Sequence, residues 1–141
     1  MKLAVQHVDG MRFLATEGGH KVVVDAAPEH GGGGSAMSAP QLFVAALGAC
    51  ILEFVMNSCR LRSVLVKRLS VEMECEEVPG PRRVGALAAV ISLGPEPPDD
   101  VKHRVIGVAR HATLANTLLQ PPEVDIHFAK QGEEGSDGAC S

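Results

Sequence analysis

The sequence predicts an α+β fold in which antiparallel strands wrap one buried helix, and three observations lead there. Strand-like segments come in runs separated by single helices, in the order β-β-β-α-β-β-α-β, the pattern of α+β proteins rather than of a doubly wound parallel sheet. Residues 38–62, SAPQLFVAALGACILEFVMNSCRLR, open with helix-start chemistry and are then apolar on nearly every face. In a soluble protein that marks a helix covered all round, by sheet, partner chain or both. The chain's 141 residues suffice for one domain with a real core.

In chain order, residues 2–7 set Leu3 and Val5 among polar neighbours, Asp9 and Gly10 signal a turn, and residues 11–16 resume an extended pattern, which together read as a hairpin. Gly18 and Gly19 turn the chain into the β-branched KVVVD segment, giving three short antiparallel strands. Residues 28–37, PEHGGGGSAM, read as a connector. The four glycines are not followed by the Gly-Lys-Ser/Thr of a phosphate-binding loop.

Ser38 followed three residues later by Gln41, with Pro40 in the first turn, is a capping box, so a helix begins near Ala39. The apolar run after it is shorter than the roughly 18–20 residues of a bilayer span, and Glu53 interrupts it, so no membrane association is expected. Residues 64–78 and 84–93 form a long hairpin turned by Pro79, Gly80 and Pro81. Val71, Met73 and Cys75 alternate with Glu72, Glu74 and Glu76, which directs the first set toward the core. Asp99 and Asp100 offer an N-cap for an amphipathic helix over residues 101–112. A short helical turn follows at 113–119, and 124–128 alternates as a last strand. Residues 1–130 thus read as one domain and 131–141 as a tail of disordered composition.

Composition excludes several functions. With no Trp or Tyr, only four Phe and a formal charge of -4, the chain lacks both the stacking platforms and the basic footprint of a nucleic-acid binder. The opening residues lack the apolar segment of a secretory signal, so cytoplasmic residence is expected. Cys50, Cys59, Cys75 and Cys140 show no zinc-ligand spacing, and the six histidines form no H-x-x-x-H group, so neither a metal nor another cofactor is expected.

Cys50, at the middle of the predicted helix, is the leading candidate for chemistry, against the ordinary alternative of a cysteine packed as a small hydrophobe. It lies too far from the helix start for the dipole to stabilise a thiolate, so reactivity needs an external cation. Arg12, beside the Asp9–Gly10 turn, is one candidate, the alternative being a solvated strand arginine. Cys59 cannot pair with Cys50 within one helix: nine positions at about 100° each put the sulfurs on opposite sides and about 13 Å apart along the axis. Glu53, one turn beyond Cys50, is read as a buried carboxylate that needs a partner.

These residues resemble the OsmC/Ohr family. SAPQLFVAALGAC is similar to the family's central-helix signature, in which an "LgaC" element carries the reactive cysteine, and the likeness extends through the VVVD and glycine-rich approach to HATLANTLLQPPEVDI. The resemblance implies an intertwined homodimer with sites at the subunit interface and thiol-dependent reduction of organic hydroperoxides. In that reaction a thiolate becomes a sulfenic acid and is resolved by a second thiol. It implies Cys50 as the peroxidatic residue and Arg12 as the arginine that stabilises its thiolate. Two positions depart from the family pattern: Ala112 stands where the resolving cysteine falls, and Gln41 where an acidic residue pairs with the arginine. A one-cysteine cycle resolved by an external thiol or dithiol is therefore expected. The alternative is a non-catalytic dimer that binds a small apolar ligand at its interface.

Overall fold

The computed structural model of the chain describes residues 1–130. Strands β1 (Ala4–Asp9), β2 (Arg12–Glu17) and β3 (His20–Asp25) form an antiparallel meander. Gly10 and Gly18 turn it with φ of 46 and 55°, a region that L side chains enter only at a cost. The register places Val5, Ala15 and Val22 in one cross-strand row and His7, Phe13 and Val24 in the next, so one face of this sheet is almost wholly apolar.

Helix α1 (Ala39–Leu61) starts as the sequence dictates, with a complete capping box between Ser38 and Gln41. The hairpin of β4 (Arg68–Val78) and β5 (Arg83–Gly94) follows, then α2 (Asp99–Ala109) and α3 (Thr113–Leu119). Asp99 and Asp100 do not cap α2: Pro98 occupies the N-cap without a side-chain hydrogen bond. The two aspartates instead fill the first turn, where their charge suits the positive end of the helix.

The core is one stripe of α1, Leu47, Ile51, Val55 and Cys59, closed by Val105, Ala109 and Ala112. α1 packs on β4, α2 and α3 and meets the N-terminal sheet chiefly through β3. Gly48 makes the α1–β4 contact possible. A Cβ there would lie 3.2 Å from Met73 Cγ and 3.3 Å from Val71 Cγ1.

Three further expectations are corrected. α1 is covered on one side only, with Phe43 45% and Met56 40% exposed, because the elements that pack on it all approach from the stripe side. The helix is 23 residues long and has an 18-residue stretch of mean hydropathy 1.9, long and apolar enough to cross a membrane, a test that a buried core helix also passes. Cys75 is exposed rather than core-facing, since α1 crosses β4 at Val71 and Met73 and Cys75 lies beyond the crossing. Finally, residues 124–128 form no strand: Val124, Ile126 and Phe128 are 79, 89 and 97% exposed. Alternation selects a face but supplies no edge to pair with. The predicted tail, 131–141, lies outside the described residues.

The two helical glycines Gly48 and Gly107 should respond in opposite ways. Gly48→Val is expected to destabilise by about 1–3 kcal/mol through overpacking against Val71 and Met73. Gly107→Ala, which meets nothing within 4 Å, should stabilise by about 0.5–1 kcal/mol through helix propensity. Denaturant titration of both variants measures the difference.

Candidate functional site

Cys50 sits on the border between the covered and open sides of α1. On the helix surface its neighbours three and four residues away are Leu47, which is buried, Phe54, which is half-buried, and Ala46 and Glu53, which are exposed. The thiol is accordingly half-buried, packed against the core yet reachable from the open face. Cys59 differs: it is 2% exposed, and burial pushes its thiol pKa up, which keeps it protonated and inert.

Of the other predicted site residues, Arg12 and Gln41 are engaged elsewhere within the chain and Glu53 is exposed. Arg12 is clamped by the aspartate of its own turn, with Nε donating to Asp9 Oδ1 at 2.6 Å and Nη2 to Asp9 Oδ2 at 2.8 Å. The hydrogen bond and charge of Asp9 raise the Arg12 pKa, and Arg12 holds the Asp9 carboxyl below its ordinary value. Gln41 Oε1 accepts from the Ser38 N–H at 2.9 Å, so its side chain closes the capping box rather than holding an arginine. Glu53 is exposed, which corrects its expected burial, and lines an open groove with Arg60, Lys67 and Arg68. It is open because none of the described residues covers that side of α1. Ala112 is fully buried in the cluster against which Cys50 packs. One chain therefore brings Cys50 and Ala112 into the same cluster and leaves Arg12 committed to Asp9.

Sequence reasoning missed Asp25. This residue, 1% exposed at the end of β3, organises the glycine-rich segment. Its Oδ2 accepts from Ser35 Oγ at 2.7 Å and from the Ser35 N–H at 2.9 Å, and its Oδ1 from the Gly33 N–H at 3.2 Å. The loop does cradle an anion, but the anion is the protein's own carboxylate. Gly32 passes so close to Ala26 that a Cβ would fall 1.7 Å from the Ala26 carbonyl oxygen. The available signal was an aspartate ending a β-branched strand just before consecutive glycines. Opposite Asp25 in the sheet register stands Arg12, so the loop, the turn arginine and the approach to α1 are fixed together.

The Ser35 hydroxyl, then the Ser35 amide, the Gly33 amide and the Arg12 charge lower the Asp25 pKa against the opposing effect of burial. A carboxyl lowered on folding stabilises above its unfolded value, 3.8 here, and that contribution is lost as pH falls through the folded value. Thermal melts of wild type and Asp25→Asn should therefore differ near neutral pH, wild type being more stable, and converge in strong acid.

An α+β chain with two antiparallel sheets and a half-buried thiol midway along the core helix belongs to a recognisable class. Residues 32–127 match the model of the OsmC-like protein family, and the chain belongs to that family. No curated protein matches it by sequence. Among solved structures it resembles a protein of Psychrobacter arcticus 273-4 described as an osmotic stress induced and detoxification response protein. The TM-score is 0.79 at 20% identity, covering 83% of this chain and 87% of that one. It also resembles an organic hydroperoxide resistance protein from Legionella pneumophila, at TM-score 0.67, 17% identity and coverage of 83 and 87%. A further likeness is to the organic hydroperoxide resistance protein of Bacillus subtilis, at TM-score 0.60, 11% identity and coverage of 82 and 87%. At these identities the likeness establishes the fold.

Proposed function

We propose that the protein is a homodimeric, cytoplasmic thiol peroxidase that reduces organic hydroperoxides through Cys50, with the oxidised cysteine resolved by an external thiol. The observation that carries this reading is the position of Cys50, held by the core yet open to attack, in contrast to the sealed Cys59. The Cys50 thiolate attacks one peroxide oxygen, forming an S–O bond as the O–O bond breaks. The alkoxide leaves and takes up a proton as alcohol, and Cys50 becomes a sulfenic acid. An external thiol then attacks the sulfur and displaces water, and a second thiol reduces the mixed disulfide, releasing a disulfide product and the Cys50 thiol. Ala112 supports the external step, because an alanine provides no internal resolving sulfur.

Several features support a second copy. Among the described residues nothing fully covers two apolar surfaces, the Val5–Ala15–Val22 face of the first sheet and the open side of α1. A two-fold assembly that lays the first on the second buries both, twice over. The unpaired residues 124–128 are free to add a strand in the same assembly.

Three measurements bear on this. Sedimentation equilibrium should give twice the chain mass; a monomer at micromolar concentration contradicts the assembly. Cys50→Ser should abolish consumption of cumene hydroperoxide with a dithiol reductant while keeping the fold and mass, and undiminished turnover sinks the proposal. The same variant retaining an apolar ligand, with wild type inactive on every peroxide tried, favours the binding alternative. In Ala112→Cys, peroxide treatment should yield a disulfide between Cys50 and the introduced thiol, detected by mass spectrometry, and turnover should then depend less on the concentration of a monothiol reductant.

A further inference from the structure

The core side of α1 carries a groove with no part in the proposed thiol chemistry. Between α1, the inner face of the β4–β5 hairpin and the α2–α3 corner it forms an open trough of about 850 Å³, within the roughly 300–1,000 Å³ of small-molecule sites. Leu47, Ile51, Met73, Leu87, Ile106 and Leu118 form its walls. Among the described residues Arg110 and His111, adjacent in the α2–α3 corner, are the only charged or titratable ones lining it, and neither an aspartate nor a glutamate does.

Arg110 is distinct among the nearby cations. Lys102 and Arg104 on α2 each pair with carboxylates, whereas Arg110 makes no ion pair among the described residues. Its place just beyond α2 is favourable for a cation at the negative end of a helix, but that effect leaves the donors of the guanidinium fork unused. The groove around Glu53 is different, because it supplies its own carboxylate beside Arg60, Lys67 and Arg68. An apolar trough with one unopposed cationic corner is complementary to an apolar chain bearing one anionic head. We propose that this groove binds a linear alkyl carboxylate, with the head on the Arg110 fork and the chain laid along Leu118, Leu87 and Ile51. A planar carboxylate matches the fork with two parallel hydrogen bonds, and the chain covers walls that otherwise meet water.

Calorimetric titration with decanoate and with decanol, each below its aggregation threshold, tests the proposal on wild type, Arg110→Gln, Ala115→Phe and Cys50→Ser, with melting curves to verify folding. Wild type should bind both ligands and decanoate more tightly. Arg110→Gln should weaken decanoate by about tenfold or more, the scale of one lost charge-assisted hydrogen bond, and leave decanol unchanged. Ala115→Phe, which fills the groove, should abolish both while native mass is retained. Absence of saturable decanoate binding, or equal decanoate affinity in Arg110→Gln, overturns the proposal. So does a change of native mass in Ala115→Phe, which makes the groove a contact between copies. Cys50→Ser should bind decanoate as wild type does, so failure of the peroxidase reading and failure of this one are told apart.

Discussion

The contact of α1 with β4 at Gly48 sets the remainder of the structure. Without a Cβ at this position, the helix backbone rests on Val71 and Met73, and that approach turns the Leu47–Ile51–Val55–Cys59 stripe toward the hairpin and the α2–α3 corner. Once the stripe is placed, helical geometry places the rest of α1. Cys50 falls at the edge of the covered side and Glu53 on the open side, and Cys59 is sealed in. The half-exposed thiol follows from where the helix is gripped.

The same contact leaves α1 with more apolar surface than the chain covers. An exposed Phe43 and Met56 on a helix this apolar, together with the exposed Val5 and Val22 on the apolar face of the first sheet, represent a large unspent hydrophobic driving force at about 25 cal/mol per Å². In the proposed assembly a two-fold axis would cover both surfaces at once. Arg12 stands on the other face of β2, opposite Asp25, and is paired with Asp9.

Asp25 shows how a loop of low intrinsic order is held. Four glycines give residues 31–34 many conformations to lose on folding. One nearly buried carboxylate gathers three of the segment's donors, at Gly33 and Ser35, and so fixes the entry to α1. The buried charge is tolerated because each oxygen is hydrogen-bonded.

Much of the fold was legible without coordinates because it rests on local rules. The Ser38–Gln41 capping box, the glycine turns and the glutamate alternation on β4 each act within a few residues of themselves, and they placed the strands and α1 correctly. Local rules failed where a partner was required. The alternation of Val124, Ile126 and Phe128 specified a strand that no edge among the described residues receives, and that of Cys75 specified a core that ends one residue pair earlier. Of the site, the sequence by itself determined the chemistry present, a thiol at position 50, an arginine at 12 and no sulfur at 112. Tertiary structure alone decided their states: Cys50 at a border, Arg12 committed to Asp9, Gln41 spent on a cap and Glu53 exposed. The reason is that side-chain identity is encoded residue by residue, whereas exposure and partnership arise from which surfaces meet across long separations.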